Sequence, residues 1–258
     1  MQGKALYSFI DRLGIGTWPA QETELCGSWL LRASEGVTKR ANSVWTGDGG
    51  DDWNPHDNRR EQVELFYKSR ELPVRYHVSD ASPDGLDAWL DSQGYVIEAP
   101  CLIMTAGATE AVQRTYRDGN EAFRADILFA PDDGWMRTFI ELEGHKPELL
   151  PFYRCLFNRI AHPAAYVKIM QENETVAVGT SVVEHGWAGF TNVVVHPDRR
   201  GHGIGKRLVH ELAAWSAGQG ADKLYLQVIA DNEPAVRLYR SAGYDDLFTY
   251  HYRTKIDA

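Results

Sequence analysis

The stretch of sequence that decides the fold is VVVHPDRRGHGIGKRL, residues 193–208. A β-branched apolar run ends at a proline, a basic pair leads into three alternating glycines, and an amphipathic pattern follows. This order predicts a strand, a tight loop and the N-terminus of a helix. Glycines leave backbone N–H groups uncovered, and the first turn of a helix carries a partial positive charge. With four basic side chains nearby, the loop is suited to a pyrophosphate.

Two common phosphate loops do not fit this glycine spacing. A Walker loop needs G-x-x-x-x-G-K followed by Ser or Thr, and the chain has no such spacing. A dinucleotide fingerprint needs G-x-G-x-x-G with an acidic residue about twenty positions further on. Here the glycines read G-x-G-x-G, and Glu211 and Asp222 fit the acidic position poorly. Taken alone, the three glycines indicate only a turn between a strand and a helix.

A second motif lies downstream of the glycine loop. Residues 223–228 alternate like a strand, and Asn232 begins a short predicted helix that leads to Gly243. The pattern R-x-x-G-x-G from residue 200, followed by N-x-x-A-x-x-L-Y-x-x-x-G-Y from residue 232, resembles the GNAT superfamily of acyl-CoA N-acyltransferases. The two motifs occur in the family's order, and the resemblance covers roughly residues 125–258.

The resemblance implies acetyl-CoA as cosubstrate and assigns roles along the two motifs. The backbone of residues 193–195 would pair with the pantetheine arm and hold the thioester carbonyl, as an oxyanion hole does. Tyr239 would protonate the departing thiolate; the alternative for this residue is a core aromatic on a helix face. The predicted acetyl-CoA-binding residues are Val193, Val194, Val195, Arg200, Gly201, His202, Gly203, Ile204, Gly205, Lys206 and Asn232.

The general base is where this sequence departs from the family. Relatives place a glutamate just before the trivaline run or on the next strand, whereas this chain has GFTN at residues 189–192 and Gln227. Glu184 and His185, on the preceding hairpin, are the nearest titratable residues in sequence. They are the candidate bases, acting directly or through water. The alternative is that they form a solvated hairpin end.

An internal repeat predicts the organisation of the first half. The segment DAWLDSQGY at 87–95 aligns with VRLYRSAGY at 236–244, and ANSVW at 41–45 resembles TNVVV at 191–195. A helix predicted over residues 59–70 and a strand over residues 74–79 complete the first copy. We therefore predict an α/β fold with a mixed sheet, built as two GNAT-like units in tandem. The predicted domains are a degenerate unit 1–105, a connector 106–124 and a catalytic unit 125–258.

The first copy is degenerate in its chemistry. Leu90 occupies the position of Tyr239, and the loop 47–57 is acidic where the second copy is basic, so it would repel a pyrophosphate. The ligand series of an EF-hand fails in this loop. The three cysteines are odd in number and far apart. We therefore predict neither a metal site nor a disulfide framework.

One segment of the first copy predicts a β-hairpin. Alternation over residues 29–32 and 39–44, with Glu35-Gly36 between them, is typical of two paired strands. Its polar residues Arg32, Arg40 and Asn42 either face the other half of the chain or belong to the hairpin surface.

The front of the second copy follows the order expected of the family. It predicts a strand at 126–129, helices at 135–143 and 151–160, and a hairpin of strands 165–171 and 176–184 about Asn173. This order again gives a mixed sheet with helices on both faces.

Composition favours a soluble enzyme. The chain has 258 residues, 43% of them hydrophobic and 24% charged, with a net charge of −9. That charge argues against an extended nucleic-acid or anionic-membrane surface. The absence of a membrane-length apolar run and of a signal-peptide pattern leads us to expect a cytoplasmic protein, a monomer or a homodimer.

Together these observations predict an acetyl-CoA-dependent N-acetyltransferase. A small-molecule amine would attack the thioester directly, with no covalent enzyme intermediate. Two alternatives stay open: acetylation of a protein N-terminus or lysine, and a non-catalytic acyl-CoA-binding regulatory module.

Overall fold

The computed structural model describes residues 3–47, 53–116 and 123–255, which form eleven strands and eight α helices. The strands are β1 (Glu22–Cys26), β2 (Trp29–Ala33), β3 (Val44–Trp45), β4 (Arg75–Ser79), β5 (Tyr95–Gly107), β6 (Arg124–Leu128), β7 (Ala164–Gln171), β8 (Glu174–Glu184), β9 (Trp187–Val195), β10 (Lys223–Ile229) and β11 (Asp245–Lys255). The helices are α1 (Lys4–Thr17), α2 (Arg59–Lys68), α3 (Leu86–Ser92), α4 (Ala108–Thr115), α5 (Asp133–Leu142), α6 (Leu150–Asn158), α7 (Ile204–Gly218) and α8 (Glu233–Ser241).

The chain divides into two compact units. The first comprises the residues up to Leu102 together with those from Phe248 onward, and the second comprises Ile103–Leu247. The end of the chain belongs to the first unit because β11 pairs antiparallel with β4, from Tyr250 opposite Ser79 to Thr254 opposite Arg75. These units differ from the predicted division at 105 and 125, which had placed residues 248–258 with the second copy.

In the first unit the strands follow the order β1-β2-β3-β4-β11-β5. One face of this sheet packs against α2 and α3. The buried residues of this core include Trp29, Leu31, Val44, Val63, Phe66, Tyr76, Val78, Leu86 and Leu90. Leu90, the counterpart of Tyr239, is therefore a core side chain, as expected of a degenerate copy.

The predicted hairpin of the first unit forms with different bounds. Strand β2 pairs with β1 across a tight turn, and its only pair with β3 among the described residues joins Leu30 to Trp45. Residues 39–43 are not a strand, because the Asn42 side chain bonds to the loop instead. Its Oδ1 accepts from the Ser34 and Gly36 N–H groups at 2.7 and 3.0 Å. Asn42 is 1% exposed, so the reading of its polarity as hairpin surface is wrong.

In the second unit the strands follow the order β10-β9-β8-β7-β6. Strands β9 and β10 are parallel, whereas the other neighbours are antiparallel. The predicted hairpin about Asn173 forms as β7 and β8, and α5 and α6 begin and end within two residues of their predicted bounds. Helix α7 packs closely on this sheet because Gly179 has no side chain. A Cβ there would lie 3.0 Å from Leu212 Cδ1.

The predicted connector contains a helix. Residues 108–115 form α4, which packs against α7, and the Thr115 hydroxyl lies 3.1 Å from His210 Nδ1. The rest of the connector lies partly outside the described residues, as do residues 48–52 of the acidic loop. Small and polar residues therefore obscured a helix here.

The described helices are short. The longest, α7, has 15 residues and spans about 22 Å at 1.5 Å per residue. The hydrocarbon core of a bilayer is about 30 Å thick. Within the described ranges, every helix is too short or too polar to cross a membrane.

Candidate functional site

Strands β9 and β10 diverge within the second unit. Their parallel pairs run from Trp187 with Lys223 to Phe190 with Leu226, and they stop there while both strands continue. The valines 193–195 beyond the last pair are half-buried. Strands that lose a partner expose N–H and C=O groups, to which an extended chain can add as a strand. The opening is therefore a slot beside the trivaline run.

A β-bulge in β9 begins this opening. Thr180 lies opposite Thr191, but Val178 lies opposite Val194, so β9 carries one extra residue. That residue is Asn192, whose φ of 57° is left-handed. Asn tolerates this conformation better than most residues, and its Nδ2 donates to Thr180 Oγ1 at 3.0 Å. Bulges bend a strand and redirect its backbone groups, so Asn192 sets the place where β9 turns away from β10.

The loop after β9 is built on two left-handed glycines. Gly201 has φ 80°, and Gly203, the N-cap of α7, has φ 83°. Non-glycine residues rarely adopt these angles. Because glycine supplies no side-chain cap, the first N–H groups of α7 retain their capacity to bind an anion. Arg200 donates from Nε to the Val195 carbonyl at 3.2 Å and so joins the loop to the end of β9.

The first turn of α7 lies against both predicted motifs. A Cβ on Gly205 would lie 3.1 Å from Leu238 Cδ2 on α8 and 3.7 Å from Val195 Cγ2 on β9. Gly205 therefore allows close packing of the glycine loop, the trivaline strand and α8. Lys206 follows it in the same helical turn, and the guanidinium of Arg207 pairs with Glu211 at 2.7 Å.

Helix α8 holds the two residues of the second motif. The Asn232 side chain caps the helix by accepting from the Ala235 N–H at 3.3 Å, which leaves its exposed amide nitrogen able to donate elsewhere. Tyr239 is 6% exposed, and its ring lies 5.8 Å from that of Tyr244. Burial raises the pKa of Tyr239 well above its usual value, and the negative charge of Glu143 raises it further. The phenol is therefore protonated at neutral pH.

The two predicted base residues lie at the other end of β9. Glu184 is opposite Trp187 in the register, and His185 occupies the turn between β8 and β9. Val193 is six positions along β9 from Trp187, a span of at most about 20 Å. The structure does not bring Glu184 or His185 to the diverging ends of β9 and β10. Instead, the Glu184 carboxylate lies 3.4 Å from His162.

A different pair of titratable residues follows α5. The helix ends in a Schellman motif, in which Gly144 N–H donates to Glu141 O at 3.0 Å and His145 N–H donates to Ile140 O at 2.9 Å. Gly144 has φ 69°, as this motif requires. The turn fixes the backbone of Glu143 and His145, which flank the glycine. Sequence reasoning missed both residues, although a Gly after an amphipathic helix was a usable signal.

His145 is held by an aromatic neighbour. Its Nε2 lies 2.9 Å from the Tyr153 hydroxyl, and the two rings stack at 4.7 Å. Burial lowers the pKa of His145. Burial also raises the pKa of Tyr153 to about 12, with a further contribution from the charge of Glu143. The negative charge of Glu143 thus acts on the phenols of both Tyr153 and Tyr239.

A cavity of ≈ 350 Å³ lies elsewhere in the second unit. Its lining includes Phe129, His162, Tyr166 and, near the C-terminal end of α7, Trp215. The glycine loop lies at the opposite end of α7. This cavity is therefore distinct from the slot beside the trivaline run.

Comparison with known proteins identifies similar sequences over nearly the whole chain. Residues 11–254 match the family model described as "Probable histone acetyltransferase Rv0428c C-terminal". An uncharacterized N-acetyltransferase of Bacillus subtilis, YobR, is 38% identical over 246 residues, which cover 95% of this chain and 97% of that protein.

Solved structures share the fold over a similar extent. A GCN5-related N-acetyltransferase from Kribbella flavida has a TM-score of 0.74 at 16% identity and covers 97% of this chain and 96% of its own. A tandem GNAT protein from the clavulanic acid biosynthesis pathway has a TM-score of 0.67 at 11% identity, over 95% of this chain and 87% of its own. The predicted fold class, a mixed α/β tandem, is confirmed.

Proposed function

Since the chain belongs to the GNAT-fold N-acetyltransferases of the Rv0428c C-terminal family, we propose that it acetylates a primary amine of a small molecule. Acetyl-CoA is the proposed donor. The observation that carries the proposal is the slot between β9 and β10, which opens at Asn192 and leads directly to a glycine loop at a helix N-terminus. The slot fits an extended arm, and the glycine loop that follows it fits a pyrophosphate.

Binding of the donor follows from these two features. The pantetheine arm adds to the free edge of residues 193–195, where amide groups give main-chain hydrogen bonds. The pyrophosphate occupies the loop from Gly201 to Lys206, where uncapped N–H groups and the dipole of α7 favour negative charge. The side-chain amide of Asn232 donates to the arm.

The chemistry is direct attack on the thioester. The amine nitrogen forms a bond to the carbonyl carbon, and a backbone N–H near the bulge stabilises the oxyanion. The C–S bond then breaks, and Tyr239 donates its proton to the sulfur. A phenol suits this role because it is protonated at neutral pH and can donate when a thiolate forms within hydrogen-bond reach.

The proton lost by the amine needs a base near the reacting atoms. Glu143 is the proposed base, because its charge acts on the phenol of Tyr239. Glu184 and His185, by contrast, lie at the other end of β9, about 20 Å from Val193. The His145–Tyr153 pair packs beside it and limits the freedom of the turn.

The charge of the chain bears on the choice of acceptor. A net charge of −9 mildly favours cationic or neutral amines. The family's description as histone acetyltransferase keeps a protein lysine as an alternative acceptor. A non-catalytic regulatory module is the other alternative, and the presence of a protonated, buried Tyr239 on α8 argues against it. A cytoplasmic location and a monomeric or homodimeric state remain predictions.

The deciding experiment is release of free CoA from acetyl-CoA with a panel of amines and a lysine-containing peptide. Turnover of small amines supports the proposal, whereas turnover of the peptide alone would identify a protein lysine as the acceptor. If acetyl-CoA binds but no acceptor releases CoA, the regulatory module is favoured. Tyr239→Phe in the same assay separates enzymatic release from spontaneous hydrolysis.

A further inference from the structure

One face of the sheet in the first unit is polar although it is buried. The register places Trp45 opposite His77 and His77 opposite Tyr252, so these three side chains lie in one row across β3, β4 and β11. Tyr250 and Ser79 are opposite each other one step along the same face. The opposite face carries the apolar core. A buried polar face requires partners for its charges.

Arg32 lies on this polar face and is 3% exposed. Its Nε donates to the Ser43 carbonyl at 3.1 Å, and its Nη2 donates to Ser43 Oγ at 2.8 Å. These partners are neutral. Among the described residues, no carboxylate lies within ion-pair distance of this guanidinium. The expectation that Arg32 belongs to a hairpin surface is therefore wrong.

Arg40 brings a second guanidinium to the same face. It is half-buried and stacks 5.1 Å from the ring of Trp18, and its positive charge acts on Tyr250 and on His77. The Tyr250 ring in turn lies 4.5 Å from that of His77. Within the described ranges, Arg40 too has no carboxylate partner.

A buried carboxylate on α1 compensates these charges only in part. Asp11, on α1, is 4% exposed and accepts from the Ser79 hydroxyl at 2.6 Å. Burial raises its pKa to about 7, although the charge of Arg32 opposes the shift. Asp11 is thus partly protonated at neutral pH. A guanidinium cannot lose its proton, so the face retains an excess of positive charge, which is costly in a buried place.

His77 gives an independent sign of an incomplete site. It is 7% exposed, and its Nδ1 has no hydrogen-bond partner in the described structure. Burial lowers its pKa to about 3, together with the positive charges of Arg32, His251 and Arg40. A neutral imidazole with a free ring nitrogen can donate or accept, according to its tautomer.

We propose that Arg32 and Arg40 bind the carboxylate of a small molecule on the polar face of the first unit. The planar fork of arginine matches a carboxylate, and the bond is strengthened because both partners are charged. The Tyr250 hydroxyl and the free nitrogen of His77 are further polar contacts on the same face. This inference is independent of the proposed function, which concerns the second unit.

Thermal unfolding of the full chain tests the proposal with simple probes. Sodium propionate is titrated against propionamide, its neutral isostere, and against inorganic phosphate. We expect a saturable rise in Tm with propionate and none with propionamide, since binding to the native state stabilises it. Equal stabilisation by propionamide, or no saturable effect of propionate, would overturn the proposal. A larger rise in Tm with phosphate than with propionate would contradict the carboxylate and indicate a site for a different anion.

Two variants locate the effect. Arg40→Gln, at a half-buried position, should weaken propionate binding about tenfold or more through the lost charge and fork. Arg70→Gln is the matched control, because Arg70 pairs with Glu22 in the same unit, away from His77. Circular dichroism establishes that both variants fold. Unchanged binding in Arg40→Gln, or an equal loss in Arg70→Gln, contradicts the site.

Discussion

The Nδ2 atom of Asn192 lies 3.0 Å from the hydroxyl oxygen of Thr180, and this bond holds the bulge at which β9 leaves β10. Thr180 is fully buried and lies on the neighbouring strand β8. The slot beside residues 193–195 thus depends on a side-chain hydrogen bond between adjacent strands, in addition to the backbone register.

Thr180→Val should weaken acetyl-CoA binding while preserving the shape of the strand. The variant removes one of the two acceptors of the partly buried Asn192 amide, the other being Thr191 Oγ1 at 3.3 Å, at a cost of about 0.5–1.5 kcal/mol. We expect a roughly fivefold or larger rise in the Kd for acetyl-CoA, measured by calorimetry. Thr175→Val is the control, since its hydroxyl donates to Met170 at the far end of β8. Equal affinities in both variants would contradict the role of the bulge.

Gly203→Asp should abolish acetyl-CoA binding. A side chain there is strained at φ 83°, and a carboxylate at the N-terminus of α7 repels the pyrophosphate. Calorimetry of the unaltered chain should give about one site, because only the second copy has the basic glycine loop. Gly218→Asp, at an open position near the C-terminal end of the same helix, is the control. Two sites per chain would contradict the predicted asymmetry.

Tyr239→Phe should lower turnover and leave acetyl-CoA affinity nearly unchanged. The thiolate exists only as the C–S bond breaks, so the hydroxyl acts on the transition state. A positioned acid contributes about 10²–10⁴-fold, and we expect the low end because CoA is a tolerable leaving group. Tyr244→Phe is the matched control: its buried hydroxyl has no partner in the described structure. Single-turnover rates at saturating acetyl-CoA decide between an acid and a core aromatic.

Glu143→Gln should lower kcat/KM for the amine by about 10²-fold, because the amide cannot accept the proton. Without the base, the rate should rise with pH, because a larger fraction of the amine is already deprotonated in solution. Glu184→Gln is the control and should retain full activity. Loss of activity in Glu184→Gln but not in Glu143→Gln would contradict this role and identify Glu184, beside the β8–β9 turn, as the base.

Asp11→Asn should change how stability depends on pH. The pKa of Asp11 is raised from 3.8 to about 7, so the native state holds a proton that the unfolded state loses. The bound proton stabilises the native state fully below pH 3.8, and this stabilisation is lost as the pH rises through 7. It amounts to about 4 kcal/mol, at about 1.4 kcal/mol per pKa unit. His77 opposes it, since a pKa lowered to about 3 makes stability rise with pH up to 6.5.

Urea unfolding from pH 4 to 8 tests this balance. Between pH 4 and 6.5 the opposite effects of Asp11 and His77 on the free energy of unfolding largely cancel. In Asp11→Asn only the effect of His77 is left, so the free energy of unfolding should rise with pH. Asp84→Asn, at an almost fully exposed carboxylate of the same unit, is the control. A variant with the same pH profile as the unaltered chain would contradict the buried, partly protonated carboxyl.

Local patterns predicted the parts of the fold that local physics determines. The strand–loop–helix at 193–208, the helix after Asn232 and the hairpin about Asn173 all form close to their predicted bounds. Each rests on hydrophobic period, glycine conformation or capping, which act over a few residues. The internal repeat then identified the first copy, because it conserves the same local order.

Features set by distant contacts were not predictable in the same way. Asn42 prevents a strand through bonds to a loop, and Asn192 marks a bulge whose partner is on β8. The charge of Glu143 acts on the phenol of Tyr239 although the two residues are far apart in sequence. Glu184, the titratable residue nearest to the motif in sequence, lies instead at the far end of β9.

The pairing of β11 with β4 has a consequence for how the chain folds. Asp80 and Thr249 are hydrogen-bonded although 169 residues separate them, and the whole second unit lies between them in sequence. On a ribosome, β4 emerges long before its neighbour and presents an open edge while the second unit is made. Contacts of such high sequence separation slow folding. The first unit, although β1 to β4 come first in the chain, is therefore completed only after the sequence of the second unit has been made.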